Sequence, residues 1–239
     1  MKKTVVLLHG FGEDSSVWSG FVPFLQKDFY ILTPDYARLS NLKTIEEYAD
    51  FVHEEITEKG IEKCVMIGHS MGGYIALAFA EKYPEMLTGL GLFHSTSFAD
   101  SEEKKAARSK NIEFIDKYGA EAFIKTSTPN LYAEIFQKLH PEVIEKHIEY
   151  ASTLPKEALM AGMKAMRDRP DRRQVLKSLR CSVMFIIGEM DKSVSPQDAK
   201  SQIMMPKYFS SSILNDVAHM GMLEEPEDCL KFVIKFCLK

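Results

Sequence analysis

Short, nearly continuous apolar runs alternate along the chain with longer amphipathic stretches, and this alternation limits the fold more than any other feature. Six runs read as strands, several of them nearly continuously apolar: Thr4–Leu8, Phe29–Thr33, Cys64–Ile67, Thr88–Phe93, Ser182–Ile187 and Ser211–Leu214. A strand apolar at every position is covered on both faces, and strands separated by helical patterns pair in parallel through crossovers. The expected fold is therefore α/β, a doubly wound sheet of about six parallel strands. Helical spacing recurs between the runs, at Val17, Trp18, Phe21, Phe24 and Leu25 and again at Ile45, Tyr48, Ala49, Val52 and Ile56. Thr44 is the expected N-cap of the second helix, with Glu47 completing a capping box. Leu230, Val233, Ile234 and Cys237 mark a last helix with Pro226 near its first turn.

Between the fourth and fifth runs the chain spends residues 96–172, far more than one crossover helix needs. Helical patterns at Phe114, Ile115 and Tyr118 and at Leu159, Met163 and Met166, interrupted by Pro129, Pro141, Pro155 and Pro170, predict a helical lid inserted after the fourth strand. The core is then 1–95 with 173–239. The charge-rich start of the insertion, Asp100 to Lys110, reads as a solvated helix face.

Charge and composition remove several classes of function. Thirty Lys and Arg against 34 Asp and Glu leave a net charge of −4, with no Lys/Arg block longer than two, so neither nucleic acid nor an anionic membrane is an expected partner. Met1-Lys2-Lys3 is followed by only four apolar residues, Val5 to Leu8, before His9-Gly10, too few for a secretory signal, and nothing reads as a membrane span. Cys64, Cys181, Cys229 and Cys237 lie far apart without a C-x-x-C spacing and read as reduced core thiols, which sets the expectation of a cytoplasmic protein.

The chemistry is concentrated in Gly68-His69-Ser70-Met71-Gly72-Gly73, directly after the third strand and before the helix Tyr74–Lys82. A serine on a sharp strand-to-helix turn needs neighbours without side chains, which Gly68 and Gly72 supply, and it projects its hydroxyl above the sheet. A hydroxyl is a weak nucleophile until an oriented base takes its proton. Of seven histidines, His9, His53, His69, His140 and His147 read as structural. His219, on the loop after the last strand, is the expected base, and His94, ending the fourth strand, is its rival and an expected pocket residue. The acid should follow the fifth strand, where Gly188-Glu189-Met190-Asp191 offers Asp191, with Glu189 as the fallback. The order Ser70, Asp191, His219 fits a nucleophile, acid, base succession. Two backbone N–H groups should face the developing oxyanion, those of Met71 and of Phe11 in the Gly-rich turn His9-Gly10-Phe11-Gly12, whose aromatic ring would also wall the pocket.

Taken together, His9-Gly10-Phe11-Gly12, Gly68-His69-Ser70-Met71-Gly72-Gly73, Gly188-Glu189-Met190-Asp191 and Ala218-His219 resemble the α/β-hydrolase superfamily, in its lidded single-domain serine branch. The resemblance runs along essentially the whole chain, and Arg169-Pro170-Asp171 looks like the lid exit of close relatives. It implies Ser70 as nucleophile, Asp191 as acid, His219 as base, Phe11 and Met71 as oxyanion donors, and a sheet lacking the two amino-terminal strands of larger members. One departure stands out: many relatives carry Asp-x-Arg-Gly-x-Gly where this chain has Asp35-Tyr36-Ala37-Arg38-Leu39-Ser40.

A serine at the elbow argues against dehalogenase-like and epoxide-hydrolase-like chemistry, which needs a carboxylate there. The expected reaction is hydrolysis of a small to medium carboxylic ester through an acyl-enzyme on Ser70. Carbon–carbon bond hydrolysis or a lyase step on the same three residues is the alternative. The expected substrate is a small molecule with an apolar portion, met by Phe11, His94 and Met163. No metal-ligand cluster is evident, and the chemistry needs no cofactor.

Overall fold

The computed structural model describes residues 2–239. The described residues form six strands in one parallel sheet: β1 (Thr4–Leu8), β2 (Tyr30–Leu32), β3 (Cys64–His69), β4 (Leu87–Phe93), β5 (Ser182–Gly188) and β6 (Phe209–Leu214), in the order β2-β1-β3-β4-β5-β6. The helices are α1 (Val22–Leu25), α2 (Ile45–Glu58), α3 (Met71–Lys82), α4 (Glu102–Ser127), α5 (Glu134–Leu139), α6 (Pro141–Ala151), α7 (Lys156–Asp168), α8 (Arg173–Ser178), α9 (Pro196–Ser201), α10 (Gly221–Glu224) and α11 (Pro226–Cys237). All six expected strands are present. No helix among the described residues is long and apolar enough to cross a membrane.

The side chains of β1 show why a central strand of this sheet is apolar at nearly every position. Val5 and Leu7 pack with Trp18, Phe21 and Val233 on one face, while Val6 and Leu8 pack with Tyr48, Val52 and Ile75 on the other. All four are fully buried, worth about 1.5–3 kcal/mol each against exposure. Thr44 caps α2 as its spacing predicts, its hydroxyl accepting from the Glu47 N–H at 3.2 Å. Glu47 returns a bond one residue further out than a standard capping box, to the Lys43 N–H.

The chain runs outward from β1 to β2 and then back across to β3, so the sheet reverses direction between β1 and β3, the place where α/β sheets open a crevice at the strands' carboxyl ends. Register sharpens the juxtaposition. Leu8 pairs with Gly68, so the turn after β1 begins beside the elbow after β3.

Two expectations are corrected. Val17 to Leu25 is not one helix but a 3₁₀ turn over Ser15–Trp18 followed by the four-residue α1, broken around Gly20, with Phe24 about half exposed. The charge-rich stretch from Asp100 is not simply solvated: Asp100 is buried, and Arg108 on α4 is largely so. Between β4 and β5 the chain does form helices, α4 to α7 and then α8. Gly119, at φ +88°, divides α4 into two segments, and Phe114 and Tyr118 lie exposed before it, their rings tilted at 47° with centroids 4.8 Å apart.

Candidate active site

Ser70 sits between β3 and α3 at φ 49°, ψ −113°, a conformation that strains any residue with a Cβ. Contacts on both sides hold it there. Its N–H donates to the Phe93 carbonyl at 3.0 Å, and its own carbonyl accepts from the Ser95 hydroxyl at 2.8 Å. The flanking glycines are required by packing: a Cβ on Gly68 would lie 2.1 Å from the Gly72 oxygen, and one on Gly72 2.5 Å from the Leu8 oxygen. Met71 opens α3, so its N–H is among the first-turn donors without an intrahelical acceptor. Neither it nor the Phe11 N–H donates to a protein acceptor among the described residues.

The loops after β5 and β6 bring Asp191 to His219. The imidazole Nδ1 donates to Asp191 Oδ2 at 2.7 Å, and the other carboxylate oxygen accepts from the Ser193 and Val194 N–H groups at 2.7 and 2.9 Å. Burial alone would raise the Asp191 carboxyl, but the adjacent His219 imidazole and these donors outweigh it and hold it below the ordinary carboxylate range. With Nδ1 engaged, the free imidazole nitrogen is Nε2. Glu189 turns away to pair with Lys200.

His94 is not a pocket residue. At φ 47° its ring turns back beneath the site, where Nδ1 accepts from the Gly188 N–H at 3.2 Å and lies 3.8 Å from Asp191. Burial pushes it down to about 3, so it is neutral, and Nε2 has no hydrogen-bond partner among the described residues. It lies close against Gly221, where an added Cβ would fall 2.3 Å from Nε2.

Ser70 and His219 line one cavity of about 130 Å³. Its apolar wall comes from Phe11, Phe123, Ile124, Leu131, Met163 and Met166, so Met163 and Phe11 lie where the sequence expects them. Met71 instead borders a smaller crevice beneath Phe11. Three features of the surroundings carry no local signal in the sequence. Glu13, fully buried, accepts from the Gly10 N–H at 2.8 Å and pairs with His69 Nδ1 at 3.0 Å. The other nitrogen of His69 faces the His219 carbonyl at 2.9 Å. Burial by itself would lower the His69 imidazole, but with a carboxylate at one nitrogen and a carbonyl at the other it is raised, which favours its charged form beneath His219. His147, on α6, also lines the cavity and bonds the Tyr132 hydroxyl at 2.8 Å. Glu224 staples the His219 loop, accepting from the Ala218 and Met220 N–H groups at 3.2 and 2.9 Å and from Ala133 at 2.9 Å.

Comparison with known proteins agrees with this architecture. The model of the alpha/beta hydrolase family matches residues 5–232. A putative carbamate hydrolase, RutD, of Rhizobium rhizogenes is 26% identical over 98% of this chain and 92% of its own length. The pimeloyl-[acyl-carrier protein] methyl ester esterase of Proteus mirabilis is 25% identical over 99% and 93%. Among solved structures, a thermophilic esterase from Thermogutta terrifontis, with malate bound, superposes with a TM-score of 0.92 at 28% identity, covering 98% of this chain and 89% of that one. The chain thus belongs to the alpha/beta hydrolase family and is an enzyme.

Proposed function

We propose that the protein hydrolyses small carboxylic esters through an acyl-enzyme on Ser70. The observation that carries this reading is the buried 2.7 Å bond between Asp191 and His219, with His219 and the strained Ser70 opening on the same cavity. Asp191 fixes the tautomer that leaves Nε2 as the acceptor, so His219 takes the Ser70 proton as the hydroxyl attacks the ester carbonyl. The oxyanion meets the unpaired N–H groups of Phe11 and Met71, the second supported by the positive end of α3. Protonated His219 then gives its proton to the departing alkoxide, and a water activated by the same nitrogen releases the acid.

The helical segment 96–172 acts in this reading as a lid, since most of the cavity's apolar wall belongs to it. A cavity of about 130 Å³ is below the usual range for ligand sites and favours short substrates. Four unpaired cysteines, three of them buried, support a reducing, cytoplasmic setting.

Ethyl butyrate hydrolysis by the wild type and Ser70→Ala, each with an organophosphonate labelling lane, tests the reading. Turnover and labelling that disappear together in Ser70→Ala are expected. Ester turnover surviving in Ser70→Ala overturns it, and labelling of the wild type without turnover moves the reaction to carbon–carbon cleavage or a lyase step at the same serine.

A further inference from the structure

Arg108 lines the same cavity as Ser70, on the first segment of α4. Its Nε pairs with the buried Asp100, and its side chain is 13% exposed. The rest of the guanidinium is poorly satisfied: Nη1 reaches only the thioethers of Met163 and Met166, both at 3.5 Å, and Nη2 donates to no protein atom among the described residues. Thioether sulfur is a weak acceptor, so most of this group's N–H capacity faces the cavity unmet.

The local charge is also unbalanced. Among the described residues Asp100 alone forms an ion pair with Arg108, yet it is shared with Arg169 at 2.8 Å and approached by Lys104 at 4.0 Å. Arg169 spends its remaining contacts on the Met166 and Phe98 carbonyls and the face of Tyr74, none of which carries charge. The cavity's own carboxylate, Glu13, is matched by His69. Burial holds His147 below the ordinary imidazole range, so it adds no compensating or competing charge at neutral pH. The Arg108 side of the cavity therefore carries surplus positive charge centred on one guanidinium with its outer edge free, while Asp191 lies behind His219 with its oxygens engaged by the imidazole and two backbone N–H groups.

We propose that Arg108 is a specificity-determining residue, binding a carboxylate carried by the substrate at the end away from the scissile ester. The proposal rests on the Ser70 hydrolase reading for its chemistry, and on the cavity alone for its anion site. A planar monoanion suits the site better than a phosphate dianion, because the free Nη edge presents two parallel donors. The cavity volume limits the spacer to a few carbons, which points to short half-esters of dicarboxylic acids.

The test compares ethyl hydrogen glutarate with ethyl pentanoate, followed by pH-stat titration at pH 7 in the wild type, Arg108→Gln and Arg108→Lys. The wild type is expected to favour the anionic ester at least tenfold in kcat/KM, as a charge-assisted hydrogen bond provides. Arg108→Gln should bring that ratio to one or below, with Arg108→Lys between the two. Turnover of both esters by the wild type without preference overturns the proposal and leaves the hydrolase reading intact. Should neither ester be turned over, calorimetry with glutarate and glutaramide decides the anion site independently of the chemistry. Glutarate binding at least tenfold tighter to the wild type supports it, and equal affinity overturns it.

Discussion

Glu13→Gln probes the buried Glu13–His69 pair beneath His219. Burial by itself would raise the Glu13 carboxyl, but the His69 imidazolium and the Gly10 N–H hold it down at about 2, against 4.5 in an open chain. That displacement corresponds to about 3 kcal/mol of folding stability at neutral pH, on about 1.36 kcal/mol per tenfold. Removing one partner of a buried pair costs about 3–5 kcal/mol by a separate route, and the two agree. The sign follows from the direction. A carboxyl depressed on folding stabilises above its unfolded value and loses that contribution as pH falls from about 4.5 toward 2. His69 is raised on folding, because its bonds to Glu13 and the His219 carbonyl outweigh the effect of burial, and its contribution fades as pH rises past 6.5. Both contributions are present at pH 6. Urea unfolding should therefore place Glu13→Gln about 3 kcal/mol below the wild type at pH 6, a Tm lower by about 6–12 °C in a chain this size. At pH 3.5, where part of the wild type's advantage has titrated away, the gap should narrow to about 2 kcal/mol. A gap under about 1 kcal/mol at pH 6, or one that does not shrink on acidification, would refute the buried ion pair.

Asp191→Asn should lower kcat by about 10³–10⁴ with little change in KM, since the amide no longer fixes the His219 tautomer; a steady-state loss below tenfold would remove Asp191 from the acid's role. Gly188→Ala should be insoluble or lose more than about 3 kcal/mol in thermal unfolding, because its Cβ would sit 2.1 Å from the Ala218 oxygen and 2.5 Å from that of Val217, on the loop that carries His219. Gly20→Ala, with nothing within 4 Å of the new methyl, serves as its control and should stay within about 0.5 kcal/mol of the wild type. Burial pushes the Cys64 and Cys237 thiols up to about 12 and Cys229 also well above its ordinary range. At pH 8 the native protein should thus show at most one thiol reactive with a disulfide reagent, Cys181, and four after denaturation; two fast thiols would contradict that burial.

Strands and chemical loops were legible because their signals are local. The apolar runs at Thr4–Leu8 and Cys64 onward can only be buried on both faces, and the turns that follow them carry the glycines that their close approach demands. Asp191 and His219 could be found without knowing their separation in space, since each lies immediately after a strand on the end of the sheet where ligands gather. The same reasoning misplaced His94. It too ends a strand, but its backbone turns the ring inward against Gly221, and no residue in its own neighbourhood announces that.

The charged groups around the cavity are illegible for a related reason: each is interpretable only through a partner far away in sequence. Glu13 and His69 pair across 56 residues, and Asp100 meets Arg169 through the far end of the insertion. Seen alone, the mixed-sign run after Asp100 matches an ordinary solvated helix, the commoner arrangement, and only the fold turns Asp100 and Arg108 inward. The division of labour follows from where each group resides. Ser70, Asp191 and His219 hang from strand ends whose geometry the core dictates, so their relation tolerates little change. Arg108, Phe123, Met163 and Met166 belong to helices that cover the cavity without contributing a strand to the sheet. On the proposed reading, substitutions there re-aim charge and volume over an unaltered serine, so that selectivity among substrates would reside in the part of the chain whose role is hardest to read from sequence.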